Sequence, residues 1–175
     1  GGLGFSEADN GRVFAMIGIT GIVTQGFLIG PLSRRFGSRR LIPMASAITG
    51  LGLVLVPYTQ AENAWAHVLV VAVLIAIGNG IFQPSSSTFL TRIAKSNGYE
   101  LGIVMGAQES LGAFARILGP LTGGLVWTLT ASSDWPFDYH TAFHLCGVMM
   151  LIASVLAFRL PALDDEDETS LLAEE

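Results

Sequence analysis

Charge is what this sequence has least of. Only 13% of its 175 residues are Asp, Glu, Lys or Arg, against 51% hydrophobic, and the mean hydropathy is +0.57. A soluble domain carries about a quarter charged residues, so an ordinary water-soluble fold is excluded. The single cysteine, Cys146, excludes an internal disulfide. Strand-length alternation of apolar and polar residues is absent and the connections are short, which argues against an outer-membrane barrel. No charged-then-apolar leader precedes the first apolar run, and the chain opens on Gly1, which suggests a fragment or a processed chain. Paired carboxylates, a Ser-Lys arrangement and an HExxH helix are missing from the apolar stretches, so no enzyme is indicated.

What is present is a set of long apolar blocks at residues 13–32, 41–58, 65–90, 101–130 and 141–158. Crossing the hydrocarbon core takes about 20 helical residues. Lipid offers the backbone no hydrogen-bond partner, so such blocks are read as helices. The expected fold is an all-α integral membrane bundle with five transmembrane helices. Residues 13–160 form its transmembrane domain, after an extracytoplasmic loop at 1–12 and before a tail at 161–175.

Basic residues orient the bundle, because Lys and Arg gather in short cytoplasmic loops. Arg34, Arg35, Arg39 and Arg40 fill the first loop, Arg92 and Lys95 flank the third span, and Arg159 follows the last. The loops TQAENAWAH and ASSDWPFDYH contain neither Lys nor Arg. Five crossings from an outside start put the C-terminus in the cytoplasm, with Arg12 the one exception on the outer side. Tyr58, Trp65, Trp127, Trp135 and Tyr139 fall near the outer interface, where amphipathic rings prefer to sit.

The formal net charge of −5 comes mostly from the end of the chain, since seven of the fourteen acids lie between Asp164 and Glu175. It leaves no excess of positive charge for nucleic acid. The tail ALDDEDETSLLAEE is acidic and free of aromatics, and is read as disordered and cytoplasmic. Its DETSLL run resembles an acidic dileucine sorting signal. The 21 glycines concentrate inside the spans, where they let helix backbones approach closely.

The fourth block, LGIVMGAQESLGAFARILGPLTGGLVW, holds an acid and a base. Steps of three and four residues separate it into two stripes. One reads Gly102, Gly106, Glu109, Ala113, Arg116, Pro120, Gly123, and the other Ala107, Leu111, Phe114, Leu118, Leu121, Leu125. A charge facing lipid costs at least about 2.5–3.5 kcal/mol, so the first stripe is expected to face protein or a water-filled cavity. Glu109 and Arg116 are separated by about 10 Å of helix rise. Each is therefore predicted to look to another helix, a water or a solute rather than to the other. Pro120 donates no hydrogen bond, which leaves the Arg116 carbonyl without its usual partner.

Gln108 stands beside the pair, Gln25 shares a face with Gly18 and Gly21, and Asn79 and Gln83 lie one turn apart. These amides line a central cavity or tie helices together. The candidate pathway residues are thus Arg116, Glu109, Gln108, Gln25, Asn79 and Gln83. The serines of PSSST satisfy backbone near Pro84. His140 and His144 read as interface residues, and neither a metal nor a cofactor is expected.

Two stretches carry a family resemblance. GPLSRRFGSRRLI resembles the loop signature G-x-L-a-D-R-x-G-R-R-x-x-L of the major facilitator superfamily, with Gly30, Leu32, Arg35, Gly37 and Arg39 in register and Arg40 completing the basic cluster. Arg34 replaces the usual Asp and Ser38 a basic residue, departures typical of the copy in the second half of these transporters. The fourth block resembles the antiporter signature G-x8-G-x3-G-P-x2-G-G through Gly106, Gly119, Pro120, Gly123 and Gly124, with Ala115 in place of the middle glycine.

With TQGFLIGPLSRRFG and NGIFQPSSSTFLTRIA, the resemblance is closest to tetracycline-efflux (TetA-like) drug:proton antiporters and their eukaryotic relatives. It implies that the spans are helices eight to twelve of a twelve-helix transporter, most of its C-terminal six-helix half. It also implies secondary active, proton-coupled export or exchange of a small organic solute by alternating access. The implied partners are the solute, a proton, the lipid bilayer and the N-terminal half absent from this chain. The alternative is a truncated, non-transporting membrane fragment or partner-binding subunit.

Overall fold

The computed structural model of the chain describes residues 6–59, 64–133 and 137–161. Trp135 and the acidic tail with its DETSLL run lie outside the described residues. The chain enters α1 (Glu7–Val23) through a capping box. Ser6 Oγ accepts from the Asp9 N–H at 3.2 Å while Asp9 Oδ2 accepts from the Ser6 N–H at 3.0 Å, satisfying two orphan donors reciprocally. The bonds from the Ser6 backbone and hydroxyl, with smaller help from Arg12, hold the Asp9 carboxyl below its usual range. Residues 7–12, expected in the outer loop, are therefore helical. Acids in the first turn also suit the positive end of the helix.

After a π-turn at Thr24–Leu28 the helix continues as α2 (Ile29–Leu55), and a short 3₁₀ turn follows at Val56–Tyr58. Within α2 the backbone breaks at Gly37, with φ 72° and ψ 154°. Contacts with α3 (Ala64–Ser96) reveal what the break does. A Cβ on Gly80 would lie 3.0 Å from Thr24 Cγ2, and one on Gly78 would lie 2.9 Å from the Ala45 carbonyl oxygen. An unbroken helix would hold Thr24 and Ala45 about 30 Å apart. Both instead meet α3 within two residues of each other, so the chain reverses at Gly37. The arginine-rich stretch expected as a loop is helix on both sides of one residue.

That backbone conformation is essentially open to glycine alone and costs other residues about 1–3 kcal/mol. Nothing lies within 4 Å of a Cβ placed on Gly37, so the cost is purely conformational. Gly37→Val is expected to lower the unfolding midpoint of the detergent-purified protein accordingly. Gly18→Ala, at a helical glycine with equally open surroundings, is expected not to lower it.

The second leg of α2 lies between α3 and α5 (His140–Ala157). Its contacts with α5 run antiparallel. At one end Arg39 Nε donates to the Leu160 carbonyl at 2.8 Å, and further on Ser154 Oγ donates to the Pro43 carbonyl at 2.7 Å. Gly50 then meets Gly147 and Leu151, and the Tyr58 ring reaches His140 and His144 at the far end. Against α3 the order is likewise antiparallel, Ala45 and Thr49 on Gly78 and then Gly52 on Ile75. Leu41, Ala45 and Ile81 form the buried core, with Ile29, Leu32, Ile77 and Phe82 packed around them.

Among the described residues every regular element is helical. Three helical runs are long and apolar enough to cross a bilayer: Glu7–Tyr58, Ala64–Ser96 and His140–Ala157. The first has 52 residues, which as a straight helix would measure about 78 Å, more than twice the roughly 30 Å hydrocarbon core. Folding back at Gly37 reconciles its length with a membrane. The remaining helix, α4 (Leu101–Thr130), is 30 residues long, and its Gln108, Glu109 and Arg116 dilute its apolar character.

Candidate functional site

α4 packs on α3 and α5, with the Trp127 ring edge-on to Phe143 at 6.1 Å, and buries no residue of its own. Gln108, Gly112, Gly123, Val126 and Thr130 are half-buried and form the strip turned toward those neighbours. The leucine stripe, from Leu111 to Leu125, is exposed. So is the small, charged stripe: Gly102, Gly106, Glu109, Ala113, Arg116 and Pro120 all lie on the surface of this chain.

Contrary to the spacing argument, Arg116 Nη2 meets Glu109 Oε2 at 3.3 Å. Helix side chains lean toward the N-terminus, so Arg116 is aimed back along α4 and its length covers the two intervening turns. The guanidinium passes over Gly112, where a Cβ would lie 3.7–3.9 Å from it, an ordinary contact distance. In water an exposed pair of this kind contributes only about 0–1 kcal/mol. Away from water the pairing matters more, because an isolated charge in an apolar helix is far costlier.

The hydroxyls of α4 are satisfied within the helix. Ser110 donates to the Gly106 carbonyl, Thr122 to those of Leu118 and Gly119, and Thr128 to that of Gly124. Such back-bonding is how polar residues sit in lipid near a proline. A Cβ on Gly106, Gly119, Gly123 or Gly124 would meet nothing within 4 Å. The glycines of this motif therefore make no close approach to another element among the described residues.

The amides are placed separately. Gln108 is half-buried with its Oε1 buried and unpartnered among the described residues. Gln25 is exposed in the π-turn, and its neighbour Thr24 is fully buried with its hydroxyl on the Thr20 carbonyl. A π-turn fits an extra residue into the helix and re-aims its neighbours. Asn79 and Gln83 are exposed on α3. Among the described residues, no hydrogen bond joins Gln25, Asn79 or Gln83 to the Glu109–Arg116 pair. In the loop motif, Leu32 borders the core, Arg35 lies over the Phe36 ring at 5.5 Å and Arg40 is exposed.

One cluster exceeds what the sequence suggested. His140 Nδ1 lies 2.8 Å from Asp138 Oδ2, and the Asp138 carboxylate also accepts the His140 N–H. Tyr58 packs its ring against both His140 and His144, whose Nε2 is buried and unpartnered among the described residues. Partial desolvation pushes the Asp138 carboxyl up, but the bonds from the His140 ring and backbone outweigh it and hold the carboxyl below its usual range. A depressed carboxyl stabilises the fold above its unfolded value, and that contribution is lost as pH falls through the folded one. The Asp138–His140 contact at the start of α5, on which the Tyr58 ring packs, is thus fully formed near neutrality. The i,i+4 histidines and an acid two residues upstream were the visible signal; Tyr58 was not.

Long apolar helices, small-residue contacts and broad exposed apolar faces define an integral membrane protein of the polytopic helical class. The model of the Major Facilitator Superfamily matches residues 1–174, and the chain belongs to that superfamily, whose members are transport proteins and not enzymes. It is 27% identical over 150 residues to multidrug resistance protein 1 of Bacillus subtilis, covering 86% of this chain and 36% of that protein. It is 32% identical over 129 residues to the class G tetracycline resistance protein of Vibrio anguillarum, covering 74% and 31%. With the mouse major facilitator superfamily domain-containing protein 10 it shares 28% over 172 residues, covering 94% and 34%. The chain spans about a third of the length of these curated relatives. No solved structure matches it.

Proposed function

We propose that this chain forms helices eight to twelve of a twelve-helix facilitator, and that the whole protein exports or exchanges a small organic or drug-like solute in exchange for protons. The observation that carries the proposal is the Glu109–Arg116 pair, exposed on the small-residue face of a helix of membrane length. A charged pair does not face lipid by preference, so this face is assigned to the central path between the two halves, and the leucine stripe to lipid. The open glycines of α4 then accept helices of the absent half.

In this mechanism the halves rock about a midplane site and protonation biases one access state. Arg116 engages an anionic or polar group of the solute, and Glu109 exchanges its partner Arg116 for a proton. Gln108, Gln25, Asn79 and Gln83 line the path. Gly30, Leu32, Arg35, Gly37, Arg39 and Arg40 form the cytoplasmic turn that shifts between states, and the glycines around Pro120 allow α4 to bend. Five crossings place the C-terminus in the cytoplasm. Names of relatives that include multidrug and tetracycline resistance proteins support the drug-like solute class.

The test is a solute panel assayed with the complete protein in vesicles under an imposed pH gradient. Flux of at least one amphipathic organic solute that reverses with the gradient is the expected result. Folded, correctly inserted protein that moves none of them favours the non-transporting reading instead.

A further inference from the structure

At the end of the bundle opposite the Tyr58 cluster, Arg39 and Arg40 stand over a floor of Met44, Ala157 and Phe158, around a cavity of about 260 Å³. We infer that this is a binding site for the phosphate of an anionic phospholipid, gripped by the two guanidinium groups with an acyl chain running down the apolar floor. Arg39 is already oriented for the task. Its Nε is committed to the Leu160 carbonyl at 2.8 Å, which fixes the guanidinium plane while its terminal N–H groups have no acceptor among the described residues. A planar fork of this kind matches two phosphate oxygens. Arg40 is exposed beside it.

The floor argues for lipid rather than a soluble anion. Met44 is 40% and Phe158 64% exposed, an apolar surface that a free phosphate would not cover. α5 has 18 residues, about 27 Å of helix, so a helix that crosses the roughly 30 Å core carries Phe158 and Leu160 at the headgroup level. In the proposed topology this is the cytoplasmic leaflet, which holds the anionic lipids. A phosphate here would join the Gly37 reversal to the end of α5, reinforcing the contact that the Arg39–Leu160 bond already makes.

The test uses the complete protein purified in neutral detergent, with phosphatidylglycerol or phosphatidylcholine added, read by native mass spectrometry and unfolding midpoint. Phosphatidylglycerol is expected to be retained and to raise the midpoint, and phosphatidylcholine to do neither. Each arginine is expected to contribute about fivefold in retention. Arg40→Gln should lower retention by that factor without moving the lipid-free midpoint, and Arg40→Lys should restore most of it. Arg39→Gln with Arg40→Gln should lower it about 25-fold, while Arg34→Gln retains it. Undiminished retention in the double variant, or equal retention of phosphatidylcholine, overturns the site. An equal midpoint rise from inorganic phosphate overturns its assignment to lipid. Retention that shows up only after removal of residues 164–175 means that the acidic segment is the natural occupant, and also overturns it.

Discussion

Replacing Arg116 by alanine in the complete protein is expected to cut solute flux by at least about tenfold, with the amount of folded protein at the membrane unchanged. The two halves of that expectation rest on different observations. Arg116 is 65% exposed and among the described residues its one ion pair is with Glu109, itself 75% exposed, so little of the described packing depends on it. Its position on the small-residue stripe, next to the strip that packs on α3 and α5, suits a role toward the rest of the protein. Without the guanidinium, the Glu109 carboxylate is left in an apolar helix with no counter-charge, which is costly. In the proposed mechanism, coupling to a proton gradient then fails along with solute binding. Glu109→Gln separates these effects, because it keeps Arg116 and removes only the titrating group; the expected result is residual flux that no longer follows pH. Wild-type flux in Arg116→Ala would remove Arg116 from the path. A normal pH dependence in Glu109→Gln would do the same for proton coupling.

The sequence showed membrane character, helical structure and the periodicity of the fourth helix, because each follows from patterns that one chain carries by itself. The stripes Leu111 to Leu125 and Gly102 to Pro120 needed only helical periodicity. What it hid depends on reach or on neighbours. SRRFGSRR looks like a loop by composition, yet arginine is a good helix former, so helix persists up to the one glycine that turns. Helix rise alone separated Glu109 from Arg116, and the length and backward lean of the arginine side chain brought them together. Neither could be found by counting residues.

The same limit applies to the glycines, and it yields the second large prediction. Gly78 and Gly124 look alike in sequence, each inside an apolar helix. In the structure a Cβ on Gly124 meets nothing within 4 Å, whereas one on Gly78 would fall on Thr49 Oγ1, with the Ala45 carbonyl oxygen and the Thr49 nitrogen both at 2.9 Å. Gly147 is as tight, with Val54 Cγ2 at 2.5 Å, the Gly50 carbonyl oxygen at 2.9 Å and the Val54 nitrogen at 3.0 Å. The obstructing atoms are largely backbone of α2, which cannot swing aside as a side chain can, so the helices themselves must separate. Overpacking a well-packed contact costs about 1–3 kcal/mol, and in lipid such contacts are the main source of association, since no hydrophobic drive replaces them. Gly78→Ala and Gly147→Ala are each expected to lower the unfolding midpoint by an amount in that range, and Gly78→Leu to leave little monodisperse protein on size exclusion. Because both sites press on neighbouring turns of α2, around Thr49 and Val54, the double alanine variant should depart from the sum of the singles. A wild-type midpoint and elution profile for Gly78→Leu would mean that α2 does not approach α3 this closely, and the reversal at Gly37 inferred from those contacts would lose its support.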